Sequence, residues 1–303
     1  MTERIRIAPS IAAALARRAP VVALETTLVT HGLPQPDGVA VAVELESIVT
    51  AGGAVPATIG ILDGVVHVGM KRDQLERLAA TPYVVKVNTG NLAATLAAGA
   101  TGSTTVAATL FAAEAAGIRV FATGGIGGVH RQVETSGDVS ADLVALARHR
   151  VAVVCAGAKA ILDLPRTVEM LETLGVPVLG LGTDEFPAFY RRSSGLSVDR
   201  RCADVAAVAA AVRTHFDLAL PTGVVVANPV PVADEMPAEI YESALAAALA
   251  AAEAAAIRGR EVTPFLLDRM RSLTGGASVA VNRALLGHNA TVAAELAVAL
   301  ARA

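Results

Sequence analysis

The chain has 303 residues, of which 53% are hydrophobic and 17% charged, a balance that is ample for a large core and fits a globular protein. Its formal net charge of -3 gives no field that would gather nucleic acid or an anionic membrane, so the expected partner is a small molecule. Aromatic residues are only 3%, with no Trp, which argues against base-stacking platforms, and two cysteines, Cys155 and Cys202, form neither a CxxC pair nor a Cys/His cluster, so neither a disulfide framework nor a zinc site is expected.

The chain starts with MTERIRIAPSIAAALARR, which is charged within its first residues and lacks the apolar core of a signal peptide, so a cytoplasmic location is expected. PVVALETTLV is a buried strand, followed by the turn-rich THGLPQPDG and the helical VAVAVELESIVTAG. ATIGILDGVVHVGM carries Asp63-Gly64 between two short apolar runs, a hairpin signal, and the charged helix KRDQLERLA follows. YVVKVN is a strand. The alternation continues with TTVAATLFAAEAAG (helix), IRVFATGG (strand), SADLVALARHR (helix), VAVVCAGAK (strand), TVEMLETLG (helix), VPVLGLGT (strand) and GVVVANPVP (strand). From about Met236 the pattern is mostly helical. Apolar excess comes from Ala and Val, and no stretch of about 20 residues is free of charged and polar breaks, so no membrane span is expected. The pattern predicts an α/β fold: a three-layer α/β/α arrangement with a mixed, largely parallel sheet, a helical C-terminal layer, and residues 1–303 as one domain.

In open sheets of this kind ligands bind beyond the carboxyl ends of the strands, so the informative residues should sit just after strands. Lys159 ends an apolar run: it either reaches solvent along its stem or is a desolvated amine that is partly neutral and can form an imine with an aldehyde. Lys86 is placed in the same way, where a second cation would depress an amine further or hold a phosphate. Glu25 interrupts an apolar strand; a carboxyl there is paired, protonated or catalytic, and a raised pKa would suit a general acid. FATGGIGGVHR fails the dinucleotide fingerprint because position 130 is His where glycine is needed, so NAD is disfavoured. Its glycines form a plain tight turn or allow close approach to an anion or sugar, with His130 and Arg131 available. In SGDVSADL, Asp138, Ser140 and Asp142 are either helix-capping residues or, in the sharper reading, a metal-binding aspartate beside a phosphate- or sugar-binding serine. Two lysines, a strand glutamate, an aspartate-serine helix start and a glycine loop suit the handling of a phosphorylated sugar through its open-chain aldehyde.

ALETTLVTHGLPQP, GAVPATIGILDG, FATGGIGGVHR, DVSADL, VVCAGAKAILDLP, GTDEFPAFYRRSSG, VVVANPVP and TPFLLDRMRSLTGG, in this order over nearly the whole chain, resemble the pseudouridine-5'-phosphate glycosidase family. The resemblance implies chemistry at a carbon-carbon glycosidic bond, a homotrimer and a divalent metal such as manganese (Mn2+). Lys159 is similar to the family's nucleophile, which forms an imine with C1 of ring-opened ribose 5-phosphate, and Glu25 to its proton donor. Lys86, Val106, Ser140, Ala141 and Asp142 match its substrate contacts, Asp138 its metal ligand, and His130 and Asn282 fall where it has polar site residues. An ordinary glycosidase protonates an oxygen leaving group between two carboxylates, and a C-glycoside offers no such oxygen. An iminium at C1 supplies the electron sink that lets the carbon-carbon bond break or form.

The sequence departs from the family's pattern at VNTGNL (87–92), at QVETSGD after His130-Arg131, and at NRALLGHN, which keeps Asn282. If those segments border the pocket, the favoured reading is C-ribosylation of a non-uracil aromatic aglycone, as a C-glycosynthase. The alternative is a catabolic pseudouridine-5'-phosphate glycosidase giving uracil and ribose 5-phosphate, and a remote third is a non-catalytic sugar-phosphate-binding module.

Overall fold

The computed structural model describes residues 4–32, 37–255, 257 and 262–302. Eleven strands are found among them: β1 (Ile5–Ile7), β2 (Val21–Leu24), β3 (Val55–Leu62), β4 (Val65–Val68), β5 (Val85–Val87), β6 (Gly102–Thr104), β7 (Val120–Ala122), β8 (Ala152–Cys155), β9 (Val178–Leu181), β10 (Arg200–Cys202) and β11 (Val224–Ala227). They form one sheet in the order β1-β4-β3-β2-β7-β8-β11-β9-β10, with β6 branching from β3 and β5 pairing β6. Pairing is parallel except where β3 meets β4 and β6. Asp63 and Gly64, at φ 50° and 71°, make the two-residue hairpin between β3 and β4 that the sequence signals.

The central strands β2, β7, β8 and β11 are buried along their whole length, which is why they are continuous Val/Ala/Leu runs and not alternating ones. The helix Val106–Ala116 packs against β2, β3 and β4, and the helix Ala277–Ala301 packs against β2, β7 and β8 and against the helices Asp37–Ala51 and Val205–Asp217. This is the expected three-layer α/β/α architecture. By length and composition Ala277–Ala301 could cross a membrane, but it carries Arg283 and Glu295 and lies half buried against the sheet, as core helices of this kind do.

Three strands escape the periodic reading: β1, β6 and β10 are three residues each and, unlike the equally short β5 and β7, sit in no apolar run. The turn-rich segment after β2 contains a helical turn of π type over Leu28–Gly32, and its positions 33–36 lie outside the described residues.

The loop after β8 depends on Gly157, at φ 77°, where an added Cβ would lie 2.0 Å from the Pro187 carbonyl oxygen. Gly157→Ala therefore carries both left-handed strain and a backbone clash, and we expect a stability loss of about 2–3 kcal/mol, read as a lower denaturation midpoint.

Candidate active site

Three parallel strands of the sheet centre are each followed by a residue that carries a polar group. Glu25 follows β2, Thr123 follows β7, and Asn228 follows β11 on the far side of β8. The loop after β8 brings Lys159, whose backbone N–H donates to the Ile126 carbonyl at 3.1 Å, so the lysine is tied to the glycine loop that leaves β7.

Glu25 is 8% exposed and accepts a 2.5 Å hydrogen bond from the Thr123 hydroxyl. Burial pushes its carboxyl above the usual carboxylate range; the Lys159 ammonium, the Thr123 hydroxyl and Lys86 pull the other way, and Asp142 adds to the rise. Lys86 stands at the middle of β5, opposite Ser103 of β6. Burial lowers the pKa of its amine, and the nearby Lys159 charge lowers it further against the opposing pull of Asp142 and Glu25. Two lysines on separate elements thus share one electrostatic site, although Lys86 sits within β5 and not past a strand end.

Asp142 is 4% exposed and acts as a brace. One carboxylate oxygen accepts from the Ala107 N–H at 2.9 Å and the other from the Gly127 N–H at 2.8 Å, so it joins the start of the helix Val106–Ala116 to the glycine loop. Val106, 1% exposed, opens that helix, and Ser140 and Ala141 begin the helix Ala141–Leu146, with the Ser140 hydroxyl capping the Asp142 N–H at 3.2 Å. The capping reading of this segment therefore holds, and the Asp142 carboxylate in addition acts on the charges of Glu25 and Lys86. Asp142→Asn would turn an amide N–H toward backbone donors, and we expect about 2–3 kcal/mol of destabilisation, visible as a lower urea midpoint.

The glycines here serve the protein's own packing first. A Cβ at Gly127 would sit 2.2 Å from the Ser140 hydroxyl, one at Gly125 would strike the Phe189 ring, and one at Gly128 the Thr167 side chain. His130 places Nδ1 3.9 Å from Asp138 Oδ2, and its pKa is lowered by burial, with Asp138 opposing and Lys159 and Lys86 reinforcing. Asp138 also accepts the His130 backbone N–H through its carbonyl at 3.0 Å. Asn282 lies on the helix Ala277–Ala301, its Oδ1 close beside Gly124. It lines a pocket of about 240 Å³ together with His31, Tyr190 and Ser278, and the His31 pKa is lowered by burial and by the Lys86 charge. Three larger hollows, of about 620, 450 and 390 Å³, are bordered by other residues and touch none of those named for the site.

Thr123 and Asn289 were not singled out in the sequence. Thr123 follows its strand just as Glu25 does, and Asn289 is seven positions after Asn282, two turns along one helix face. Those two spacings are the signals that could have found them.

The segments that depart from the family pattern are mostly engaged in their own structure. In VNTGNL, the Asn88 side chain accepts from the Gly90 N–H and the Asn91 side chain clasps the Asn88 N–H and the Lys86 carbonyl, while Thr89 faces the remote 450 Å³ hollow. In QVETSGD, Glu134 pairs with Arg166 at the surface and Ser136 bonds back to Gln132.

A family model described as "Indigoidine synthase A like protein" matches residues 10–299. The chain is 55% identical to a "Pseudouridine-5'-phosphate glycosidase" of Methylobacterium nodulans, over 97% of this chain and 87% of that one. It is 52% identical to one of the same name from Herpetosiphon aurantiacus, over 99% of each. Among solved structures, the prealnumycin C-glycosynthase AlnA in complex with ribulose 5-phosphate superposes with a TM-score of 0.92 at 39% identity, over 100% of this chain and 98% of that one. An indigoidine synthase A-like protein from Thermotoga maritima gives 0.88 at 36%, over 98% and 97%. With its sheet order, its strand-end residues and these matches in agreement, the chain belongs to the indigoidine synthase A-like family, the family of the pseudouridine-5'-phosphate glycosidases.

Proposed function

We propose that this chain is a pseudouridine-5'-phosphate glycosidase, which breaks the carbon-carbon bond between C1 of ribose 5-phosphate and the base to give uracil and ribose 5-phosphate. The observation that carries it is Glu25: a buried carboxyl, held toward its neutral form, hydrogen-bonded by Thr123 and in the field of Lys159. The Glu25 carboxyl protonates the ring oxygen and opens the furanose. The Lys159 amine bonds to C1, and its electron pair then expels the base as a carbon leaving group, leaving an iminium. A proton to that carbon completes uracil, and water hydrolyses the iminium to the aldehyde and frees Lys159. Lys86, placed beside them and partly desolvated, holds the anionic sugar phosphate, while Asp142 fixes the backbone N–H groups of the loop and helix around it.

Asp138 is the residue that would hold a divalent cation such as manganese. Among the described residues no group of three or more His, Cys, Asp or Glu side chains surrounds a common point, so the donor set fits a mostly hydrated ion shared with substrate oxygens. Bound there, such an ion supplies positive charge toward the substrate's oxygens.

The choice of uracil over another aglycone is supported by the relatives at 55% and 52% identity described above, both of that name, against 39% for the C-glycosynthase. It is supported further by the local engagement of the VNTGNL and QVETSGD side chains, on which the C-ribosylation reading leans. C-ribosylation of another aromatic carbon remains the second reading, on the 0.92 superposition with AlnA. One assay separates them. With manganese, ribose 5-phosphate and uracil, pseudouridine 5'-phosphate should form and be detected by mass; its absence, with an intact borohydride-trapped sugar adduct on Lys159, would sink the uracil reading and keep the C-ribosyl one.

A further inference from the structure

Asn289 is 1% exposed, on the face of the helix Ala277–Ala301 that meets the sheet. Its amide donates to the Thr123 carbonyl at 2.8 Å and leans toward the Gly124 carbonyl at 3.4 Å, and its own Oδ1 accepts from the amide of Asn228, also 1% exposed, at 2.9 Å. The Gly124 carbonyl in turn accepts the Ala156 N–H at 2.9 Å, and the Asn228 N–H donates to the Cys155 carbonyl at 2.8 Å. One amide pair therefore joins the ends of β7, β8 and β11. Backbone groups already supply the Gly124 carbonyl and the Asn228 N–H, whereas the Thr123 carbonyl is met by Asn289, so the asparagine pair both satisfies that carbonyl and holds it in place; burying two amides costs free energy unless each is well bonded.

What the pair does settle is where Thr123 stands. A carbonyl held at 2.8 Å fixes the peptide plane following Thr123, and so the direction in which its hydroxyl approaches Glu25. We propose that Asn289, oriented by Asn228, is a positioning residue for proton donation: it sets the Thr123 hydroxyl on Glu25 and the pitch of Gly124 beside Asn282. The inference rests on reading Glu25 as the proton donor. Besides Thr123, the charged groups acting on Glu25 are Lys159, Asp142 and Lys86, none of which Asn289 or Asn228 contacts by a hydrogen bond, so loosening the pair leaves the charges in place and moves only the hydroxyl.

The test is Asn289→Ala and Asn228→Ser, assayed on pseudouridine 5'-phosphate and, without substrate, by carboxyl 13C NMR of Glu25, assigned with Glu25→Gln. Asn289→Ala should lower kcat on the order of tenfold to a hundredfold with KM within about twofold. The Glu25 carboxyl should titrate at higher pH than in the wild type, because a hydrogen bond that favours its charged form has been weakened. Asn228→Ser should shift both in the same direction and by less. Folded variants with wild-type kcat and wild-type Glu25 titration overturn the proposal, as does a loss of thermal stability with the titration unmoved. If Asn289→Ala does not fold, Asn228→Ser decides, and in the unmodified protein rapid hydrogen exchange of the Asn289 side-chain amide overturns it directly. A wild type that leaves pseudouridine 5'-phosphate intact counts against the functional reading alone, and the carboxyl titration still judges Asn289.

Discussion

Lys159→Ala should abolish turnover of pseudouridine 5'-phosphate, by on the order of 10⁴-fold or more, while the protein keeps its fold. The size follows from the chemistry. Without an amine at C1 there is no electron sink, and the remaining groups can only polarise a bond that has no oxygen to protonate. Lys159→Arg sharpens the result, because a guanidinium keeps the positive charge that acts on Glu25 yet stays protonated and cannot add to a carbon. We expect it to be as inactive as the alanine variant. Borohydride reduction with ribose 5-phosphate should add one sugar to the wild-type chain and none to either variant, read by intact-protein mass; an adduct on Lys159→Arg would place the imine elsewhere.

Glu25→Gln should lower kcat by about 10²–10⁴-fold, the range that a positioned proton donor contributes. Glutamine keeps an acceptor for the Thr123 hydroxyl and removes only the proton. The pH behaviour has a definite sign. Burial raises the folded-state pKa of Glu25, so activity that needs its protonated form falls as pH rises through that raised value, and the alkaline limb should vanish in Glu25→Gln. Stability carries the same sign: a raised folded pKa contributes stability that is fully present below the ordinary glutamate range and is lost as pH rises through the folded value. The thermal midpoint of Glu25→Gln, followed from acid to alkaline pH, should therefore overtake the wild type as pH increases, and parallel curves would show that Glu25 ionises freely in the fold.

Much of this site could be read from residues alone because its chemistry sits where strand periodicity ends. Glu25 and Lys86 break or end apolar runs, and a charge in a buried strand is conspicuous. Asp142 was visible as a capping residue, but its two backbone hydrogen bonds join segments 35 and 15 residues away, a separation that no local pattern encodes. Asn289 was harder still. Nothing in a helix sequence marks which polar residue faces a sheet until the sheet is there. The short strands β1, β6 and β10 were missed for a related reason: three residues pair because longer neighbours hold them, not because of their own pattern. The glycine loop was legible as a turn, yet the cause of Gly127, the nearness of Ser140 and Asp142, is a tertiary fact.

The helix Ala277–Ala301 is also the last part of the sheet's covering to be made. Glu25, Thr123 and Lys159 emerge from the ribosome long before Asn282 and Asn289, and the sheet that carries them can assemble while that helix is still unmade. A nascent chain at that stage holds its acid and its amine at the ends of β2 and β8, on either side of β7, with the β2, β7 and β8 surface bare of the helix that will cover it. Docking of the helix buries Leu285, Ala290, Ala293 and Leu296 in the same event that brings Asn289 to the Thr123 carbonyl, so completion of the core and completion of the site are one step. A chain cut before Ala277 should therefore resemble the whole one in its strands while lacking the bond that fixes the Thr123 carbonyl.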